Sequence, residues 1–240
     1  MAHGRTKWGV VAALAIWALA GAWSASGQAF SPGESQIVIP TAEWSPDGQL
    51  VIGYGRVPNR LVGQPLPSDT EIEHYHEAYT YTIQFIPRLS LHVRMSFRTQ
   101  EDGYKGEDRM LGFRASLLKQ SKVLPSIAMG VRDVSGTRKR HTSYLVATRR
   151  ERVGFLEAHV SVGYSKHIFE SRGFEMKEGI FYGATISALN RLELMYEMDT
   201  TAHYFGVRAW PLKWVWASAF MSSLDETGVS VGIARVLGAE

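Results

Sequence analysis

The sequence predicts an all-β fold: a transmembrane antiparallel β-barrel of about twelve strands, preceded by a signal peptide. Three observations lead there. The chain starts with an apolar leader, the remainder alternates apolar and polar side chains with a period of two, and long and short connections alternate between the resulting strands.

The leader comes first. Arg5 and Lys7 form a basic start, residues 9–23 are almost unbroken apolar, and Ser24, Ala25, Ser26, Gly27, Gln28 and Ala29 supply a small-residue cleavage zone. This is the layout of a secretory signal peptide, expected over residues 1–29. An uncleaved anchor is the weaker alternative, because the apolar stretch falls short of the roughly twenty residues a helical span needs. No later window has that apolar length, so no transmembrane helix is expected. Residues 30–48 form an N-terminal segment. Its Ile37-Val38-Ile39 followed by Pro40 is either an extra strand, hairpinned onward through Asp47-Gly48, or a plug lodged in the lumen. Residues 49–240 are the barrel.

Composition narrows the classes. At 45% hydrophobic and 11% aromatic residues, the 240-residue chain is no disordered tail. Its net charge is +3, its basic residues are mixed with acids, and no nucleic-acid module appears, so a nucleic-acid partner is not expected. There is no cysteine, which excludes disulfides, thiolate metal sites and lipidation on sulfur.

The alternation is clearest in seven stretches. Tyr79, Tyr81, Ile83 and Phe85 oppose Thr80, Thr82 and Gln84; Leu89, Leu91, Val93, Met95 and Phe97 oppose Ser90, His92, Arg94, Ser96 and Arg98. Leu111, Phe113, Ala115 and Leu117 oppose Gly112, Arg114 and Ser116; Leu156, Ala158, Val160, Val162 and Tyr164 oppose Glu157, His159, Ser161 and Gly163. Ile180, Tyr182, Ala184 and Ile186 form a row, as do Leu192, Leu194, Tyr196 and Met198, and Val229, Val231 and Ile233. Strands near 49–57, 125–134, 141–150, 202–210 and 214–222 alternate less cleanly.

A soluble β-sandwich also alternates, but its polar face meets water and favours long Lys and Glu side chains. Here the polar face carries Arg, His, Glu, Ser and Gly with hardly any Lys, which suits a confined lumen where charges need partners. A lumen charge network is therefore expected, in which Arg94, Arg114 and Arg132 on early strands meet Glu157, Glu193 and Glu197 on later ones. The first seven connections, at about 20, 2, 10, 6, 6, 4 and 13 residues, alternate as extracellular loops and periplasmic turns do; the pattern fades after the eighth strand. An even strand number puts both termini on the periplasmic side. Trp210, Trp214 and Trp216 around one turn, with Tyr144, Tyr164 and Tyr182 on apolar rows, suggest aromatic girdles.

Three segments resemble the YjbH-type exopolysaccharide-biosynthesis barrels, a family of outer-membrane proteins. They are Pro40-Thr41-Ala42 with Pro46-Asp47-Gly48; Glu107-Asp108-Arg109 leading into Leu111-Gly112-Phe113-Arg114; and, most specific, Pro125-Ser126-Ile127-Ala128-Met129-Gly130-Val131-Arg132-Asp133, then Gly136-Thr137 and Ser143-Tyr144-Leu145-Val146-Ala147. The resemblance covers about residues 36–165 and identifies the chain as a short, single-barrel relative. It implies a cell outer membrane location in a Gram-negative bacterium and a non-enzymatic role in exopolysaccharide production or export. It also implies partners in outer-membrane lipid, exopolysaccharide and polysaccharide-export proteins, and no cofactor. Within the signature, Gly130 on the inner face lets a bulky neighbour approach. Arg132, Asp133 and Thr137 are either a structural hairpin or a glycan contact.

Two alternatives belong to other classes. One is a small pore. The other is an outer-membrane lipid-modifying hydrolase (a lipid A deacylase or phospholipase type) using His159 and Ser161, with Glu170 or Glu175 as orienter. Against the hydrolase, the alternation turns His159 and Ser161 inward, away from lipid. His74 and His76 form a weak metal pair in the first long connection, and no phosphate loop, zinc-helix motif or nucleophile elbow is present.

Overall fold

The computed structural model describes residues 35–58, 75–99, 105–135, 141–168, 178–223 and 227–237. The expected signal peptide over residues 1–29 lies outside the described residues, as do His74, Thr137, Glu170 and Glu175. Among the described residues there are twelve strands: β1 (Gln49–Pro58), β2 (Tyr75–Ile86), β3 (Leu89–Thr99), β4 (Lys105–Leu118), β5 (Ser126–Arg132), β6 (Thr142–Val153), β7 (Leu156–Lys166), β8 (Gly179–Ala188), β9 (Leu192–Met198), β10 (His203–Leu212), β11 (Val215–Ser222) and β12 (Thr227–Val236). Each pairs antiparallel with its chain neighbour, and β1 closes on β12 from Gln49↔Val236 to Arg56↔Val229. The result is a closed barrel with no free edge, which satisfies the backbone groups that a sheet edge would leave open.

Strand positions follow the alternation, and several strands run further than it does. β4 begins at Lys105, well before the apolar row at Leu111, because its acidic-basic lead pairs with β3 as far as Thr99↔Lys105. The connection before it is correspondingly short, residues 100–104. The two barrel ends differ. Gln49, Val236 and the turns at 87–88, 119–125, 154–155, 189–191 and 213–214 share one end; the strand ends Pro58 and Tyr75, Arg132 and Thr142, and Lys166 and Gly179 share the other. At the terminus-bearing end Gly48 N–H donates to Gln84 O (2.8 Å) and Leu237 N–H to Gly48 O (2.9 Å), tying both chain ends to one turn.

Sidedness is sharp. Along β7, Leu156, Val160, Val162 and Tyr164 are exposed on the outside, while Glu157, Ser161 and Ser165 are buried inside. Neighbouring strands extend the outer row: Leu145 faces Tyr164, Val162 faces Tyr182, and Ile186 faces Leu194. The exterior is thus a continuous apolar belt. Near the loop-bearing end it carries aromatic contacts, with Tyr54 and Tyr79 ring centroids 5.1 Å apart, Tyr79 and Phe97 5.6 Å, and Tyr196 and Phe205 5.1 Å.

Residues 35–45 lie within the barrel as a narrow hairpin. Ser35 bridges Pro40, and Gln36 N–H donates to Ile39 O at 3.2 Å. Its tip divides the apolar part of the lumen. Ile37 and Val38 pack with Met195, Tyr204 and Phe220, whereas Ile39 and Ala42 pack with Ala128, Tyr144, Val146 and Phe181. Gly206 and Gly183 make room for it, since a Cβ at either would come within 2.7 Å of Ile37 Cδ1 or 2.8 Å of Ile39 Cδ1.

The structure corrects the aromatic expectations in two places. Trp216 is no girdle residue: it is fully buried in the lumen, lying over Gly53 and Gly232, with the Arg208 guanidinium 5.9 Å from its ring. Trp210 also points inward, and of the three tryptophans Trp214 alone stands well exposed. Tyr144 belongs to the inner row of β6, not the outer one. Its ring fills the space over Gly130 across the β5–β6 pair, with Arg132 5.7 Å from the ring. The cause is common to all three. Bulky rings fill a lumen this narrow, so ring size does not report sidedness.

Candidate functional site

The site is the lumen hairpin and the side chains that hold it. Glu197, on the inner face of β9, accepts backbone N–H bonds from Ile37 (2.9 Å), Val38 (2.5 Å) and Ile39 (3.3 Å). A buried carboxylate is costly unless its oxygens are filled by donors, and three consecutive amides do that here. The hairpin's carbonyls are met by cations. Arg132 Nη1 donates to Val38 O (3.1 Å), Arg208 Nη2 to Gln36 O (2.5 Å) and Arg114 Nη2 to Glu43 O. Ala42 N–H donates to the hydroxyl of Thr148 at 2.8 Å. Val38 therefore bridges Glu197 and Arg132, which stand on β9 and β5.

The residues of the expected charge network hold partners inside the barrel. Arg114, Arg132 and Glu197 are brought together on the hairpin backbone. Glu193 pairs with Arg208 of the neighbouring strand at 2.9 Å and accepts from Trp210 Nε1 at 2.9 Å. Glu157 takes Arg150 and Arg152 at the terminus-bearing rim. Arg94 is buried and reaches Met110 Sδ on the adjacent strand. A chain segment inserted between charges supplies donors and acceptors closer than the far wall does. Replacing Arg114 by Leu is expected to lower the melting temperature in detergent. It leaves the buried Glu43 carbonyl without its donor, a loss of about 1–3 kcal/mol; an unchanged melt would count against this role.

Arg132 and Asp133 are both buried, at 8% and 0% exposed. Arg132 is engaged by the hairpin and by Tyr144, and Asp133 turns the chain out of β5 with a φ of 54°. Among the described residues His159 and Ser161, the pair of the hydrolase reading, share no hydrogen bond. Ser161 shares a hydrogen bond with Thr148 at 2.9 Å, and His159 faces Glu157 (2.8 Å) and Glu43, all within the lumen. A serine nucleophile needs its base in contact. Among the described residues no group of three or more His, Cys, Asp or Glu is placed to hold a metal.

Arg208 and Thr148 are participants that the sequence did not flag, and Trp210 is one that the sequence assigned to a girdle instead. For Arg208 a signal existed: Phe205, Val207 and Ala209 alternate with Tyr204, Gly206, Arg208 and Trp210. The aromatic residues on the inner side blurred it. Around these groups, at the terminus-bearing mouth, lies a cavity of about 340 Å³ between the hairpin (Gln36, Glu43, Ser45) and the wall (His159, Glu193, Trp210).

Residues 33–178 match the YjbH family model, described as exopolysaccharide biosynthesis protein YbjH. No curated protein matches the chain. Among solved structures a KdgM porin is similar at 12% identity, with 78% of this chain and 98% of that chain covered and a TM-score of 0.47.

Proposed function

The chain belongs to the YjbH family of exopolysaccharide biosynthesis proteins, and from that membership we propose that it is a non-enzymatic outer-membrane barrel serving exopolysaccharide production or export. The observation that carries this is the extent of the match: residues 33–178 include the lumen hairpin and β1 to β7, and with them Arg114, Arg132, Thr148 and His159 of the site, while Glu193, Glu197, Arg208 and Trp210 lie beyond the matched residues. Membrane insertion is supported by the outer face. Val160, Val162, Leu145, Ile186, Leu194 and Phe205 are each more than half exposed, and a belt of that size on a closed barrel has its natural solvent in hydrocarbon. Residues 1–29 would act as the cleaved export leader, and the terminus-bearing end would face the periplasm. The partners are outer-membrane lipid, the polymer and the proteins that deliver it.

The test is genetic. Deleting the gene from its host is expected to reduce surface polysaccharide, and the full-length gene is expected to restore it; normal polymer in the deletion strain would overturn the role. A His159→Ala strain is expected to keep the lipid A and phospholipid pattern of its parent, because His159 serves the hairpin carboxylate of Glu43. A loss of deacylated lipid in that strain would instead favour the hydrolase. A small pore is the second reading, in which conduction would require the hairpin to leave the lumen it occupies.

A further inference from the structure

Resting on the exopolysaccharide role, we infer that the rim of the terminus-bearing mouth is a docking surface for an acid-bearing polysaccharide, one whose sugar units carry carboxylates. The surplus and the placement of cations point there. Each of the five turns at this end has a lysine or arginine in it or within two residues of it: Arg88, Lys119, Arg152, Arg191 and Lys213. All five are exposed, and because the turns follow one another around a closed barrel, their charges ring the opening. The acids of the mouth are fewer, deeper and already engaged. Glu157 pairs with both Arg150 and Arg152, Glu193 with Arg208, and Glu43 with His159. The side chains of Arg150 and Arg152 are 55% and 59% exposed, against 8% for Glu157, 18% for Glu193 and 22% for Glu43. Whatever reaches the mouth therefore meets positive charge first. Asp47 and Glu151 are the exposed acids at this end among the described residues, and Glu151 is held by Arg149 on the outer flank. Lys119 and Lys213 are in no ion pair among the described residues.

A ring of like charge around an opening raises the local concentration of its counter-ions. Guanidinium forks match carboxylates with two parallel hydrogen bonds, and exposed pairs are individually weak, so the surface suits a ligand that repeats its charge along a chain. The sidedness of the cations favours an approach along the barrel axis over the lipid at its flank. Arg150 and Lys213 line the cavity at the mouth, and Arg88 and Lys119 each lie 5.8 Å from the ring of Trp44, which lines it too. A phospholipid would meet the outer flank instead, where Arg149 is taken by Glu151. The indoles favour a glycan over an acidic peptide. Trp44 is exposed at the rim, and Trp210, fixed by its Nε1 bond to Glu193, lines the same cavity. The apolar C–H face of a sugar ring packs on indole while its carboxylate reaches a lysine or arginine beside it. Trp44 belongs to the segment that runs from the hairpin into β1, so a polymer seated here bears on the plug of the lumen.

The test uses the full-length barrel in tetraethylene glycol monooctyl ether, an uncharged detergent without sugar, and isothermal titration calorimetry with polyglucuronic acid, dextran and polyglutamate of similar length. Polyglucuronic acid is expected to bind most tightly and dextran not to bind. Raising the salt from about 50 to about 300 mM is expected to weaken the polyglucuronate complex about tenfold or more. Lys119→Gln/Lys213→Gln is expected to weaken it about fivefold or more. Lys166→Gln/Arg235→Gln, which removes the same charge from the opposite end and the outer flank, is expected to leave it within about twofold. Heat-dependent gel mobility checks that each barrel is closed, and Arg88→Gln/Lys213→Gln replaces the first pair if that one fails to fold. Equal binding by wild type and the folded Lys119→Gln/Lys213→Gln barrel would overturn the docking surface. So would dextran bound as tightly as polyglucuronic acid, or polyglutamate bound as tightly or more so, which would make an acidic protein the occupant. Displacement of polyglucuronic acid by phosphatidylglycerol bicelles but not by phosphatidylcholine ones would overturn it in favour of lipid. In cells the two claims separate. A deletion strain with normal polymer defeats the exopolysaccharide role whatever the calorimetry reads. A polymer lost on deletion but free of acidic sugars, or made normally with Lys119→Gln/Lys213→Gln, defeats the docking surface alone.

Discussion

Replacing Glu197 by Ala is expected to open the lumen: in planar bilayers the wild-type barrel should stay closed for most of the record, and Glu197→Ala should conduct. The expectation follows from what Glu197 does. Its carboxylate is the shared acceptor for the amides of Ile37, Val38 and Ile39, at the tip of the hairpin that fills the barrel. Without it, three buried donors lose their partner at a cost of about 1–3 kcal/mol each. That is comparable to everything else that holds the tip, namely Arg132 on Val38 O, Arg208 on Gln36 O and the burial of three aliphatic side chains. The barrel wall is hydrogen-bonded strand to strand and does not depend on the tip, so it should survive the loss. The melting temperature should fall while the strand content stays. Glu197→Gln keeps one acceptor oxygen and should fall between. Closed records from a folded Glu197→Ala barrel would mean that the carboxylate does not govern the hairpin.

The second large effect lies at the seam where the two ends of the chain meet. Gly53 of β1 pairs with Gly232 of β12, and the Trp216 ring lies across both. A Cβ at Gly232 would meet Trp216 Cζ2 at 2.6 Å and collide with the carbonyl oxygen of Ile52. A softer core would let the indole shift, but the carbonyl belongs to the closing ladder and cannot move without breaking it. Gly232→Val is therefore expected to cost about 3 kcal/mol or more, above the ordinary penalty of overpacking. Heat-modifiable mobility, the gel signature of a closed barrel, should be lost. Ala219→Val, which adds two carbons to the outer face of β11, should be tolerated. A folded, thermally normal Gly232→Val barrel would show that the seam is looser than its register implies.

Much of this architecture was legible in the residues. The outer rows, such as Leu156-Val160-Val162-Tyr164 and Leu192-Leu194, need only a period of two to be recognised, and the strand number followed from them. β10 and β11 were harder, since Tyr204, Trp216 and Phe220 put apolar bulk on the inner face as well. The candidate site was half legible. Buried arginines and glutamates on the polar face could be recognised as lumen residues, but their partners could not. For Arg114, Arg132, Arg208 and Glu197 those partners include backbone atoms of residues 36–43, and a carbonyl or an amide leaves no mark in a sequence. Ile37-Val38-Ile39 looked as much like a strand as like a plug because its apolar side chains serve either. The lumen groups that meet it, Glu197 above all, decide between them only when the barrel brings β5, β9 and β10 around it.

The most direct test is a scan of single-cysteine variants along β7, from Ala158 to Tyr164, spin-labelled and reconstituted in liposomes; the chain contains no native cysteine to interfere. Collision with oxygen, which concentrates in hydrocarbon, is expected to be high at Ala158, Val160, Val162 and Tyr164 and low at His159, Ser161 and Gly163. High collision with a water-soluble nickel reagent at the first set, or no two-residue period at all, would contradict a lipid-facing exterior around a filled lumen.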